Sequence, residues 1–75
     1  MEFRWNQWNI EHVAKHGVHP EEAEAVVAGA IPPFPRDIGD GMYLVCGPAP
    51  GGRMLQVIYV PDPGETVYII HARPL

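Results

Sequence analysis

The sequence predicts a single α+β domain: a short N-terminal strand, two helices, then a three- to four-stranded antiparallel sheet on which the helices pack. Three observations lead there. Apolar residues repeat at three- and four-residue intervals before Ile31 and alternate with period two after Gly41. Glycine and proline clusters separate the periodic segments. The links between the later strands are also far too short for the crossover that parallel neighbours require. At 75 residues, the chain has room for one domain spanning residues 1–75.

Each element has a local reason. Phe3 and Trp5 alternate with Glu2 and Arg4, as expected of a short edge strand. Asn9 reads as an N-cap, followed at helical spacing by Ile10, Val13 and Ala14. Lys15 and His16 suit the last turn, where cations oppose the helix dipole, and Gly17 suits the left-handed stop. Pro20 fits the first position of a second helix, with Glu21, Glu22 and Glu24 in its early turns. Ala23, Val26, Val27 and Ala30 form its buried stripe, and Gly29, Pro32 and Pro33 end it. Residues 33–38 offer an irregular edge strand among prolines. Met42 to Cys46, Arg53 to Val60 and Thr66 to Ala72 then read as an antiparallel meander. In the last of these, Val67, Ile69 and His71 are expected on one face and Tyr68 and Ile70 on the other.

Composition narrows the function classes. Five Lys and Arg face nine Asp and Glu, a net charge of −4. That argues against a protein that coats duplex nucleic acid, which is normally strongly basic. Any nucleic-acid role therefore rests on a few placed cations. The single cysteine, Cys46, supplies neither an internal disulfide nor a cysteine-based zinc site. There is no apolar run of the ~20 residues a membrane helix needs and no secretory pattern behind Met1, so the expectation is a soluble, cytoplasmic protein with no membrane partner.

The residues able to carry chemistry are few. His12 and His16 share a helix face, with Lys15, the only lysine, between them. They read first as helix-surface and helix-terminal residues, and second as a small cationic group able to hold phosphate. A metal site built on His12, His16 and His19 ranks last, because Val13 stands where the zincin pattern needs Glu, and no cofactor is expected. His71 and Arg73 alternate at the end of the last strand, and Arg53 opens its neighbour. Arginine suits bidentate phosphate contact, and histidine exchanges protons near neutral pH. Metal-free RNA cleavage needs a base for the 2′-hydroxyl, a cation for the phosphorane and an acid for the leaving oxygen, and these residue types fill all three roles. Trp5, Trp8, Tyr43, Tyr59 and Tyr68 serve as core anchors or as stacking surfaces for unpaired bases.

The run from Phe3 to Val18, with its Lys15-His16-Gly17-Val18 step, and the Pro20-Glu21-Glu22-Ala23 helix start resemble BrnT-type toxins of bacterial toxin–antitoxin modules. So do the Tyr43-Leu44-Val45 strand, Gly52-Arg53 and the closing Ile69-Ile70-His71-Ala72-Arg73. The resemblance implies a RelE-like fold and a metal-independent endoribonuclease that inhibits translation. It also implies RNA as substrate and a cognate DNA-binding antitoxin as protein partner, and leaves room for a homodimer. By position it carries over Lys15, His16, Arg53 and Arg73, with His12 where many members have Asn or His. His71 stands where the family usually has Ser or Thr, and the family's charge-rich C-terminal helix has no counterpart before Leu75. The competing expectation is a non-catalytic, truncated toxin-like module that only binds a partner protein.

Overall fold

A computed structural model describes residues 1–75 as two helices on a five-stranded mixed sheet. In chain order the elements are β1 (Glu2–Arg4), α1 (Gln7–Ala14), α2 (Pro20–Ala28), β2 (Arg36–Gly39), β3 (Met42–Pro48), β4 (Met54–Asp62) and β5 (Thr66–Pro74). The strands lie in the order β1-β5-β4-β3-β2. The β2 to β5 run is the antiparallel meander expected from the short links. The sheet is nonetheless wider than the three to four antiparallel strands expected. Residues 36–39 pair as a full edge strand, and β1 adds to the other edge in parallel with β5. Two helices separate β1 from the sheet it joins, which supplies the long return that parallel pairing requires.

α1 begins earlier than its apolar spacing suggests. Asn6, not Asn9, is the N-cap, and Asn9 stands at N3 of a reciprocal capping box. Asn6 Oδ1 accepts from the Asn9 backbone N–H at 3.2 Å, and Asn9 Oδ1 accepts from that of Asn6 at 2.8 Å. Asn9 is fully buried, while Ile10, expected in the apolar stripe, is 43% exposed. Lys15 caps the C-terminus, and Gly17 adopts φ 71°, a conformation that lacks a steric cost only for glycine. The chain then enters α2 at Pro20, where the Glu22 carboxylate accepts from the His19 N–H at 3.0 Å. The β2–β3 hairpin turns on Asp40 and Gly41 at φ 55° and 75°, the Asp-Gly pairing that a tight hairpin favours.

The core lies between α2 and one face of the sheet. Ala23, Val26 and Val27 of α2 meet Val45, Leu55, Val57, Val67, Ile69 and Ala72, with Val13 and Val18 closing the side near α1. The Trp5 indole N–H donates to Glu24 Oε2 at 2.7 Å, tying the end of β1 to α2. α1 packs chiefly against β5. The opposite sheet face carries half-buried Leu44, Cys46, Ile58 and Val60, which alternate with the core residues, and α1 meets it only at its β5 margin, where Trp8 and His16 lie against Tyr68 and His71. No helix is long and apolar enough to cross a membrane.

β5 departs from the expected alternation. Ile58 pairs with His71 but Tyr59 with Ile69, so Ile70 has no partner and forms a bulge. The buried set is therefore Val67, Ile69 and Ala72, and His71 leaves the face assigned to it by strict alternation. Two consecutive apolar residues, Ile69 and Ile70, hide this slip in the sequence.

Candidate functional site

The bulge delivers His71 to the end of α1. The rings of His16 and His71 meet edge to face with centroids 5.6 Å apart. His16 lies just past the helix C-cap, in the turn that Gly17 closes, so its position depends on that left-handed residue. Arg73, two residues on from His71, is exposed and donates from Nε to Gln56 Oε1 at 3.0 Å. Its planar guanidinium otherwise faces outward. One helix turn back from His16, His12 stacks on Trp8 with centroids 3.9 Å apart and planes 22° from parallel.

These four groups share one electrostatic environment. The His71 imidazole is held below the usual histidine value, first by partial burial and then by the nearby His16, Arg73 and His12. A neutral His71 beside a permanent cation is the combination a general base needs near neutral pH. Each neighbour also comes from a defined place: His12 and His16 from the α1 end, Arg73 from the same strand.

The other two candidates border this corner without joining the His16–His71 pair. Arg53 Nη2 donates to the Gly17 carbonyl at 2.7 Å and to Glu22 Oε1 at 2.9 Å. It thereby clamps the α1–α2 turn, the segment that carries His16. The Glu22 carboxyl is held below its usual range, chiefly by the His19 backbone N–H and then by Arg53. Lys15 opens onto a depression along α1 lined by Trp8, Glu11, His12 and Ala14. His12, His16 and His19 do not assemble into a metal site, and no group of three His, Cys, Asp or Glu side chains does so elsewhere.

An aromatic row that the sequence named only as separate rings continues from this corner. Trp8, 49% exposed, has His12 on one side and Tyr68 6.3 Å away on the other, at an interplanar angle of 22°. The Arg4 guanidinium lies 3.9 Å from the Tyr68 ring centre and is held there by Asp62. Trp8 and His12 are four residues apart on one helix, a spacing that announces such contact. Tyr43 and Tyr59 form a separate stacked pair, 5.6 Å apart, at the margin of the core. Compared with known proteins, the chain matches no family model, no curated protein and no solved structure.

Proposed function

We propose that this chain is a BrnT-like toxin with a RelE-like fold: a metal-independent endoribonuclease that inhibits translation and is neutralised by a DNA-binding antitoxin. The observation that carries this reading is the convergence of His16, His71 and Arg73 at the end of α1 and β5. In the proposed reaction neutral His71 takes the proton of an RNA 2′-hydroxyl, and the 2′-oxygen forms a bond to the adjacent phosphorus. The P–O5′ bond breaks, and the 5′-oxygen receives a proton from the imidazolium of His16 or His12. The products are a 2′,3′-cyclic phosphate and a 5′-hydroxyl. Arg73 bridges two phosphate oxygens as charge accumulates on them. Arg53 acts one step removed, by holding the turn that presents His16. Lys15 adds positive charge along the approach to His12.

The test has two parts. Induced expression in bacteria should arrest growth, and purified protein should cleave a labelled single-stranded RNA in the presence of a chelator. His16→Ala and His71→Ala should abolish both effects. Unimpaired growth together with intact RNA would overturn the proposal.

A non-catalytic interaction module is the second reading, favoured by Arg53, whose guanidinium is already committed to Gly17 and Glu22. It forecasts intact RNA alongside stable capture of a partner protein.

A further inference from the structure

The uncovered sheet face has a definite order. Strand register aligns Arg36, Leu44, Ile58 and His71 in one rank across β2, β3, β4 and β5. The next rank holds Cys46, Gln56 and Arg73. Leu44, Cys46, Ile58 and Val60 thus make an apolar strip, with Arg36 at its β2 end and Arg73, one rank on and beyond Gln56, at its β5 end. Beyond Val60, Tyr68 and Arg4 continue the face across β5 and β1.

Charge makes the strip informative. Two of the five Lys and Arg are neutralised within the fold, Arg4 by Asp62 at 2.6 Å and Arg53 by Glu22 at 2.9 Å. Lys15, Arg36 and Arg73 have no carboxylate at ion-pair distance, and both of these arginines stand on this one face. The acids of α2 (Glu21, Glu22 and Glu24) belong to the opposite layer. In a chain of net charge −4, two unneutralised guanidiniums flanking an apolar strip call for negative charge from outside. At the far corner Glu2 and Asp62 stand near Arg4, which already neutralises Asp62.

We propose that this face docks an amphipathic helix of a partner protein, with an acidic residue at each end of its apolar stripe. The geometry fixes the spacing. Arg36 and Arg73 are three interstrand steps apart, about 14 Å at roughly 4.8 Å each, and one rank apart, about 7 Å along the strands, hence roughly 16 Å in all. A helix rising 1.5 Å per residue covers that in about eleven residues, close to three turns, so both acids fall on the face that carries the apolar residues between them. RNA fits this strip less well, because Leu44, Cys46, Ile58 and Val60 offer no flat ring for a base, and Tyr68, beyond Val60, already has the Arg4 guanidinium 3.9 Å from its ring centre. Docking shares Arg73 with the proposed cleavage site but needs no turnover, and a chain that cleaves no RNA would still bind such a helix.

A charge-swap experiment on the intact chain tests this. The probes are two synthetic helical peptides of about 18 residues, roughly five turns. They share a Leu stripe and differ only in carrying Glu or Lys at its two ends. The wild type should bind the Glu peptide about tenfold more tightly than the Lys peptide at low salt. Amide shifts should concentrate at Leu44, Ile58 and Arg73. R36E combined with R73E should invert the preference. Arg36→Glu alone, which lies outside the proposed catalytic corner, should remove it. Both arginines are exposed, and melting curves show whether the variants are folded. Equal binding of both peptides, or no inversion in the folded double variant, would overturn the proposal. So would a uridine oligonucleotide shifting Leu44 and Ile58 when neither peptide does.

Discussion

The Asn9 side-chain amide donates to the Ile69 carbonyl at 2.9 Å and to the Arg4 carbonyl at 3.1 Å, bridging a helix, an edge strand and its neighbour. Pairing between β1 and β5 stops at Arg4 and Tyr68, and Asn9 supplies the next donor that the exposed side of β5 needs. One fully buried side chain therefore caps α1 and extends the sheet at the same time.

Asn9→Ala should accordingly cost about 2–4 kcal/mol, since it strands two carbonyl acceptors and removes half of a capping box. For a domain this small that is a Tm decrease on the order of 10–20 °C. Asn9→Asp should not rescue it, because an ionised carboxylate has no donor for either carbonyl. A melting curve for Asn9→Ala that superimposes on wild type would refute the assignment.

His71 should titrate below the usual histidine value near 6.5, a shift readable by NMR. Removing either neighbouring cation, with Arg73→Ala or His16→Ala, should move its midpoint upward. The lowered native value means that the folded chain resists protonation more than the unfolded chain does. This group's contribution to stability is therefore present above about 6.5 and lost as pH falls through the lowered midpoint. The acid limb of the cleavage rate should follow the same titration. An acid limb that does not coincide with the measured His71 midpoint would remove His71 as the base.

Glu22 makes an acid-side prediction of the same sign. Its carboxyl is held below about 4.5 by the His19 N–H and by Arg53, so its stabilisation is complete above that pH. The stabilisation should decline as pH drops from there through the lowered native value. Glu22→Gln should flatten this part of the stability profile, and Arg53→Ala should flatten it partly. Unfolding in urea across pH 2.5–6 measures both, and an unchanged slope in Glu22→Gln would count against the clamp.

Arg73→Lys and Arg73→Ala should both lose cleavage by about 10²–10³, because lysine keeps the charge but not the fork that spans two phosphate oxygens. Tm should barely move, since the exposed Arg73 makes a single side-chain bond, to Gln56. Cleavage retained in folded Arg73→Ala would withdraw it from the site.

What the sequence made legible was local. The Gly17 stop, the Pro20 start and the three meander strands each rest on residues within a few positions of one another. The parallel docking of β1 was not legible, because a three-residue strand acquires its partner from packing more than 60 residues away. Asn9 looked like a cap because its residue type suits one. Its burial against Ile69 depends on where α1 lands, not on its neighbours in sequence. The bulge at Ile70 escaped because both Ile69 and Ile70 fit a buried strand. The one local signal was Ala72, a small apolar residue placed where strict alternation calls for an outward one. That slip decides which way His71 faces, so the candidate site was legible as a set of residue types but not as a place. Lys15, His16, Arg53, Arg73, His12 and His71 were all named, yet Arg53 grips a turn while His71 lies beside His16.

Because β1 runs parallel to β5, Met1 and Leu75 emerge at opposite ends of the same strand pair. Glu2 stands beside Thr66, and Leu75 bonds back to Met54. The eight residue steps between Thr66 and Pro74 span about 26 Å. A fluorophore or affinity handle joined ahead of Met1 would therefore sit far from the histidine corner. The same handle joined after Leu75 would emerge two residues from Arg73 and crowd both the proposed cleavage site and one end of the uncovered face.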